Sequence, residues 1–223
     1  MEPRLDADLN ARLAAARESY AGGGLAEADL TPTPWELFNR WYDEVAAAGV
    51  GEPNAMVVAS VGADGAPSAR LVLLKGFSAD GFVFFTNLGS RKGRELLAHP
   101  RCALLFPWHP VERQVRVEGS AAELPRAAVE EYFAIRPRGS QLGAWASHQS
   151  SVVAGRAELD EAYAAAQERF AGQDVPAPEE WGGFVVRPDV VEFWQGRTGR
   201  MHDRLVYRRT GPGDGWATER LAP

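Results

Sequence analysis

The chain holds one cysteine, Cys102, in 223 residues. A lone thiol excludes an internal disulfide, and it excludes zinc or iron–sulfur sites built on several cysteines. Its expected role is that of a buried structural thiol. Histidine is scarce as well. His99, His109, His148 and His202 include no close pair with metal-ligand spacing, and no metal site is expected. No stretch approaches ~18 uninterrupted apolar residues, so no membrane span is expected. Met1–Ala15 lacks the apolar core of a signal peptide and is interrupted by acids. These absences point to a reduced, cytoplasmic protein. Positive charge is in deficit too, since 24 Lys and Arg against 30 Asp and Glu give −6. That balance argues against a nucleic-acid or anionic-membrane binder, whose affinity rests on clustered positive charge. A sum says nothing, however, about where the charges sit.

What is present is ordinary globular composition, with 45% apolar and 10% aromatic residues. At ~100–200 residues per domain, the length gives one large domain or two small ones. No internal repeat or long linker divides it. The reading is an N-terminal arm over 1–30 and a single domain over 31–223.

The spacing predicts a short amphipathic helix over Asp6–Tyr20, ended by Gly22-Gly23-Gly24. By composition alone the arm reads as a disordered tail. Thr33, Pro34 and Glu36 form a capping-box signature for a second helix, with Leu37, Phe38, Trp41, Tyr42 and Val45 on one face and Gly49 as its stop. From Ala55 the period becomes extended. Strands are expected at Ala55–Val61, Ser68–Lys75, Phe82–Asn87, Arg101–Pro107 and Glu112–Gly119, with a hairpin signal at Asp64-Gly65 and a turn at Ala79-Asp80-Gly81. Helices are expected at Ser90–Ala98, Pro125–Ile135 and Glu158–Phe170. More strands follow at Gly183–Val186, Val190–Trp194, Arg204–Arg208 and Trp216–Leu221. Short connections between the strands favour an antiparallel barrel with peripheral helices, an α+β fold.

Several clusters could carry chemistry. Ser90 can cap a helix whose first turn holds Arg91 and Lys92, which is an anion site by construction or else a solvated basic turn. Arg70 and Lys75 bracket Leu71, Val72, Leu73 and Leu74. Five apart, they face opposite sides of a regular strand and can serve one ligand only at a bulge, a strand end or through the backbone. Tyr132 and Arg136 share a helix face, with Ser140 just beyond, as a second phosphate grip or as a surface stacking pair. Gln114 suits the mixed donor and acceptor edge of a flavin-like ring, or makes a surface hydrogen bond. Arg200 and His202 share a face if their segment is extended. Arginine can lie on a flat aromatic ligand, and histidine can exchange protons near neutral pH.

The order and spacing of these stretches is specific. Arg70-Leu-Val-Leu-Leu-Lys75, Phe85-Thr-Asn-Leu-Gly-Ser-Arg-Lys92, Leu105-Phe-Pro-Trp-His109, Glu112-Arg-Gln-Val-Arg116, Gln149-Ser150, Trp181-Gly-Gly-Phe184, Glu192-Phe-Trp-Gln-Gly196, Arg200-Met-His-Asp-Arg204 and Arg220-Leu-Ala-Pro223 run in sequence. From about Arg17 to Pro223 the chain resembles the pyridoxamine 5′-phosphate oxidase family. The resemblance implies a split β-barrel that works as a homodimer with FMN at the subunit interface. It implies oxidation of pyridoxamine or pyridoxine 5′-phosphate to pyridoxal 5′-phosphate, with O2 as acceptor and H2O2 as product.

By the same resemblance, Arg70, Leu71, Val72, Leu73, Leu74, Lys75, Phe85, Thr86, Ser90, Arg91, Lys92, Gln114, Gln149, Ser150, Trp194 and Arg204 hold FMN. Lys75, Tyr132, Arg136 and Ser140 grip the substrate phosphate. Arg200 and His202 contact the substrate ring and its reacting end as the catalytic pair. Arg17 and Tyr20 close over the substrate, which replaces the tail reading of the arm. The chain departs from the family at Phe85, where tyrosine is usual, at His148, where Arg or Lys is common, and at Glu18, which replaces a basic residue. The rival readings are a related split-barrel flavin oxidase acting on another ring, a deazaflavin-dependent reductase, and a non-catalytic FMN or pyridoxal phosphate carrier.

Overall fold

Strand β1, Ala55–Val61, buries Met56, Val58 and Ser60 and leaves their neighbours more exposed. A period of two turns alternate side chains to one face. In the computed structural model, which describes residues 7–16, 20, 22–211, 213 and 215–223, that face lines a nine-stranded sheet whose paired strands are all antiparallel. The remaining strands are β2 (Pro67–Leu73), β3 (Gly76–Ser78), β4 (Gly81–Asn87), β5 (Arg101–Phe106), β6 (Arg113–Glu123), β7 (Trp181–Gln195), β8 (Asp203–Arg209) and β9 (Trp216–Arg220). The order is β2-β1-β5-β6-β7-β4-β3, with β8 and β9 branching from β7.

That branch shapes the molecule. The first half of β7 pairs with β4, from Trp181 to Val186, and its second half pairs with β8, from Val190 to Gln195. Sequence patterning gives two strands here, at Gly183–Val186 and Val190–Trp194, and the structure joins them into one. The change of partner coincides with a register shift against β6 between Glu118 and Gly119. A Cβ on Gly119 would stand 2.2 Å from the Arg187 carbonyl oxygen, so only glycine lets the two backbones meet.

Helix α2, Pro34–Ala47, closes the barrel interior. Leu37, Phe38, Trp41 and Val45 are buried, and the Phe38 ring lies 5.0 Å from Phe106 and 5.2 Å from Phe82. Aromatic pairs at such distances supply core packing beyond the area they bury. The Thr33 hydroxyl donates to the Glu36 carboxylate, and no helix amide bonds to it, so the expected capping box is made only in part. Three further helices, α4 (Arg126–Ala134), α5 (Arg138–Ala146) and α6 (Arg156–Arg169), pack around a second small core of Phe133, Leu142, Ala166, Phe170 and Val175. α5 is not expected from the sequence, where Pro137 marks the end of the preceding helix; in the structure the same proline also stands at the start of the next one.

At the N-terminus, α1 spans Ala7–Ala15, and the expected helix to Tyr20 does not reach that far. The arm beyond it is not a loose tail. Leu25 is buried, the Gly22 amide donates to Glu112 Oε2 at 2.7 Å, and the Leu25 amide donates to Asp203 Oδ2 at 3.0 Å. Arg17 and Glu18 lie outside the described residues.

Replacing Gly119 by alanine should lower unfolding free energy by about 1–3 kcal/mol, the usual cost of overpacking. Urea unfolding of the purified protein measures it, and an unchanged midpoint would contradict this account of the strand crossing.

Candidate functional site

Strand β4 runs into a turn at Leu88-Gly89, and α3, Arg91–Ala98, starts at once. Ser90 caps it as expected, its hydroxyl accepting from the Gly93 amide at 3.2 Å. Gly93 lets the helix sit against that turn, since a Cβ there would stand 2.3 Å from the Leu88 carbonyl oxygen. The helix N-terminus, with its positive dipole end, is thereby fixed beside a cavity that Arg91 and Lys92 line. The cavity measures about 580 Å³.

Lys92 is buried beside it. Its Nζ donates to Gln149 Oε1 at 2.8 Å, to Thr86 Oγ1 at 3.0 Å and to Ser90 Oγ at 3.3 Å. Burial, aided by the charge of Arg70, pulls its pKa from 10.5 down to about 8. The Arg91 amide donates to Ser150 Oγ at 3.1 Å, and Ser150 holds a left-handed backbone, φ +74°, to reach it.

Another part of the lining comes from β2. Arg70 NH1 donates to Ser60 Oγ at 2.6 Å and to the Val58 carbonyl at 3.2 Å, while NH2 donates to Ser68 Oγ at 2.5 Å. Strand β2 stops at Leu73, and the Lys75 amide bonds instead to the Val83 carbonyl on β4. That strand end brings Arg70 and Lys75 to one cavity, which a regular strand forbids. Leu71, Val72 and Leu73 line it as well, and Leu71 is 67% exposed. Leu74 turns away from it and is buried in the core.

Tyr132, on α4, also lines the cavity and stacks on Phe85 with ring centroids 3.9 Å apart and planes 9° from parallel. Arg136 lies 4.0 Å over the Trp181 ring. Burial lowers its pKa, and its NH1 is buried without a hydrogen-bond partner. A buried unpartnered guanidinium donor is an anion contact waiting for its acceptor. Arg136, Gln149 and Trp181 also border an adjoining cavity of about 290 Å³, and Ser140 lines that one and not the first.

The remaining expected residues form a separate group. Gln114 pairs with Trp194, and Trp194 with Arg204, so the three make one row across β6, β7 and β8. Arg204 clasps the buried Glu192 at 2.7 and 3.2 Å, and those bonds raise its pKa. Arg116 reaches the same carboxylate at 3.3 Å. Trp194, His202 and Tyr20 cluster, with Trp194 and His202 centroids 4.7 Å apart and Tyr20 5.5 Å from His202. His202 Nδ1 accepts from the Arg197 amide at 3.1 Å, which leaves Nε2 for a ligand. Arg200 does not share an extended face with His202. It ends a tight turn over Thr198–Arg200 with φ +63° and stands exposed. None of Tyr20, Gln114, Trp194, Arg200, His202 and Arg204 lines the cavity at Lys92.

The sequence assigns no role to Glu95, Ser60 and Ser68, which hold Arg70 and Arg91, and it shows Glu192, which holds Arg204, and Trp181, which lies under Arg136, only as members of the quoted stretches. The period-two burial of Ser60, inside an apolar strand, was the available signal for that pocket. Among the described residues no group of three or more His, Cys, Asp and Glu could hold a metal, and no helix is long and apolar enough to cross a membrane. Cys102 is half-buried, and burial pushes its thiol up to about 11.

Comparison with known proteins gives a consistent set. The family described as "Pyridoxamine 5'-phosphate oxidase" matches residues 42–194, and one described as "Pyridoxine 5'-phosphate oxidase C-terminal dimerisation region" matches residues 181–223. A pyridoxine/pyridoxamine 5′-phosphate oxidase of Nocardioides is 69% identical over 211 residues, covering 95% of this chain and 98% of the relative. One of Rubrobacter xylanophilus is 55% identical, with 95% and 96% covered. Among solved structures, PhzG of Burkholderia lata 383, in complex with tetrahydrophenazine-1-carboxylic acid, superposes with a TM-score of 0.85 at 29% identity, covering 92% of this chain and all of that one.

The Lys92 ammonium sets a pH dependence. An anion beside it restores its charge, so above a pKa of about 8 binding must take up a proton. Affinity for phenyl phosphate should be level from pH 7 to 8 and then fall, approaching roughly tenfold per pH unit. Calorimetry in buffers of different ionisation enthalpy measures both the affinity and the proton uptake. Constant affinity to pH 9.5 would contradict the assignment.

Proposed function

The chain belongs to the pyridoxamine 5′-phosphate oxidase family, and we propose from that premise how its own residues serve the reaction. It is an FMN-dependent oxidase that converts pyridoxamine or pyridoxine 5′-phosphate to pyridoxal 5′-phosphate, using O2 and releasing H2O2. It functions as a homodimer.

The residues present suit FMN. The cavity is large enough for a flavin, since ligand pockets commonly run ~300–1,000 Å³. The capped N-terminus of α3, Arg91 and the buried Lys92 form a cradle for its phosphate, with Gln149 and Ser150 beside them. Arg70 and the β2 segment 71–73 line the wall on which the ring would lie. When bound, FMN supplies the two-electron acceptor that O2 returns to its oxidised state.

One observation carries the reading: a single cavity is lined by cations from two different helical segments, Arg91 with Lys92 on α3 and Arg136 just after α4, beside Tyr132. Two phosphate-bearing ligands fit it better than one. Arg136, Tyr132 and Lys75 hold the substrate phosphate, with Ser140 at the edge, and the Trp181 ring keeps the Arg136 plane fixed. A substrate held by its phosphate meets the flavin ring in one orientation, and much of the rate enhancement comes from that positioning.

The row of Gln114, Trp194 and Arg204, with Arg200 and His202, lies within or beside the dimerisation region and away from its own chain's cavity. We assign it to the cavity of the second copy. The partner subunit's Arg200 then covers the substrate ring, and the partner subunit's His202 turns Nε2 to the amine or hydroxyl at the reacting carbon. Tyr20 packs on that histidine and holds the arm over the same place. Loss of two electrons and two protons from the amine substrate gives an imine, which water hydrolyses to the aldehyde and ammonia. The alcohol substrate gives the aldehyde directly. A cytoplasmic location agrees with the lone unpaired thiol.

Anaerobic mixing of FMN-loaded protein with pyridoxamine 5′-phosphate should bleach the flavin, and air should then yield peroxide. Binding without bleaching would favour a carrier and overturn the oxidase assignment. Arg136→Ala should raise the KM for substrate by about tenfold or more, the usual worth of a charged hydrogen bond, with FMN content unchanged. An unaltered KM would remove Arg136 from the phosphate grip.

A further inference from the structure

We propose that Glu95 is a positioning residue of the cofactor site, aiming the Arg91 guanidinium at the FMN phosphate. The inference rests on the FMN placement given above. Glu95 lies one turn after Arg91 on α3, so the two side chains share a helix face. Its side chain is only 8% exposed, whereas that of Arg91 is 57% exposed.

The two carboxylate oxygens have separate partners. Oε2 accepts from Ser60 Oγ and Ser68 Oγ, both at 2.6 Å, and from Arg70 NH2 at 3.3 Å. These donors come from β1 and β2 and anchor the carboxylate to the barrel wall. Oε1 accepts from Arg91 Nε at 2.8 Å. Burial pushes the Glu95 pKa up, but the bonds from Ser60, Ser68 and Arg91 outweigh it and hold it down to about 2, so the carboxylate is charged at every working pH.

The bond to Arg91 is side-on, through Nε. Among the described residues, the two terminal nitrogens of Arg91 make no hydrogen bond, and they form the fork that matches two phosphate oxygens. An exposed arginine without such a hold samples many rotamers and must lose them on binding. Glu95 removes that loss in advance. Arg70 is already tied to Ser60, Ser68 and the Val58 carbonyl, so it holds its place with less help from Glu95.

Glu95→Gln isolates the effect. The three donors at Oε2 would retain the amide oxygen there, which turns the amide NH2 toward Arg91 Nε. Two donors then face each other and the arginine is released. Apo-protein is titrated with FMN and with riboflavin, which lacks the phosphate, in wild type, Glu95→Gln, Arg91→Ala and the double variant. Glu95→Ala serves as a second substitution should Gln impair folding. The expected result is FMN binding weakened about tenfold by Glu95→Gln, riboflavin binding within about twofold of wild type, and little further loss when Arg91 is already alanine. Unchanged or tighter FMN binding, an equal loss for riboflavin, or additive losses in the double variant would overturn the proposal. If Arg91→Ala weakens FMN binding and Glu95→Gln does not, the phosphate placement stands and the positioning role falls. If neither does, the placement itself fails.

Discussion

A buried carboxylate that clasps two arginines recurs in this structure. Glu95 holds Arg70 and Arg91, and Glu192 holds Arg204 and Arg116. Taking a carboxylate out of water costs several kcal/mol unless its lone pairs are matched. Here each is matched by guanidinium groups, and for Glu95 by two serine hydroxyls as well. The pairs give little net stability by themselves. What they provide is fixed orientation of long, flexible cations, the property an anion site needs before its ligand arrives. A chain of net charge −6 can therefore line a cavity with oriented positive groups.

The barrel sets where those groups stand. Strand β7 exchanges β4 for β8 halfway along, and the glycine at the β6 crossing allows it. One set of site residues lies on β2, β4 and α3. The other lies on β6, β7, β8 and the turn before β8. Among the described residues the second set does not line the cavity of the first, and the proposed assembly therefore makes a second copy part of the chemistry and not only of the stability. The pinned arm, with Leu25 buried and Tyr20 against His202, belongs to the second set.

Much of this was legible in the sequence. The run of short strands with tight connections points to an antiparallel barrel, and Ser90 is legible as the cap of the helix that carries Arg91 and Lys92, though local rules leave that turn open between an anion site and a solvated basic turn. The residues that needed tertiary information were different in kind. Glu95 reads as an ordinary acid on a helix, because nothing in its neighbourhood says that Ser60 and Ser68 will come from two other strands. Arg200 and His202 share a face only if their segment is extended, and the tight turn at Gly199 and Arg200 breaks that condition. Lys75 reached the site through a strand break that its apolar neighbours hide. Phe85, which departs from the family's tyrosine, lacks a hydroxyl but keeps a flat ring, and that ring is what stacks on Tyr132.

The central claim is that each site is assembled from the cavity of one chain and the Trp194–His202 group of another. Mixed dimers carrying Arg136→Ala in one chain and His202→Ala in the other test it. One site then holds both substitutions and the other holds neither, so the account predicts about half the wild-type activity at low substrate, well above either parent homodimer. Mixed dimers no more active than the parents would show that each chain builds its site alone, and would contradict the account.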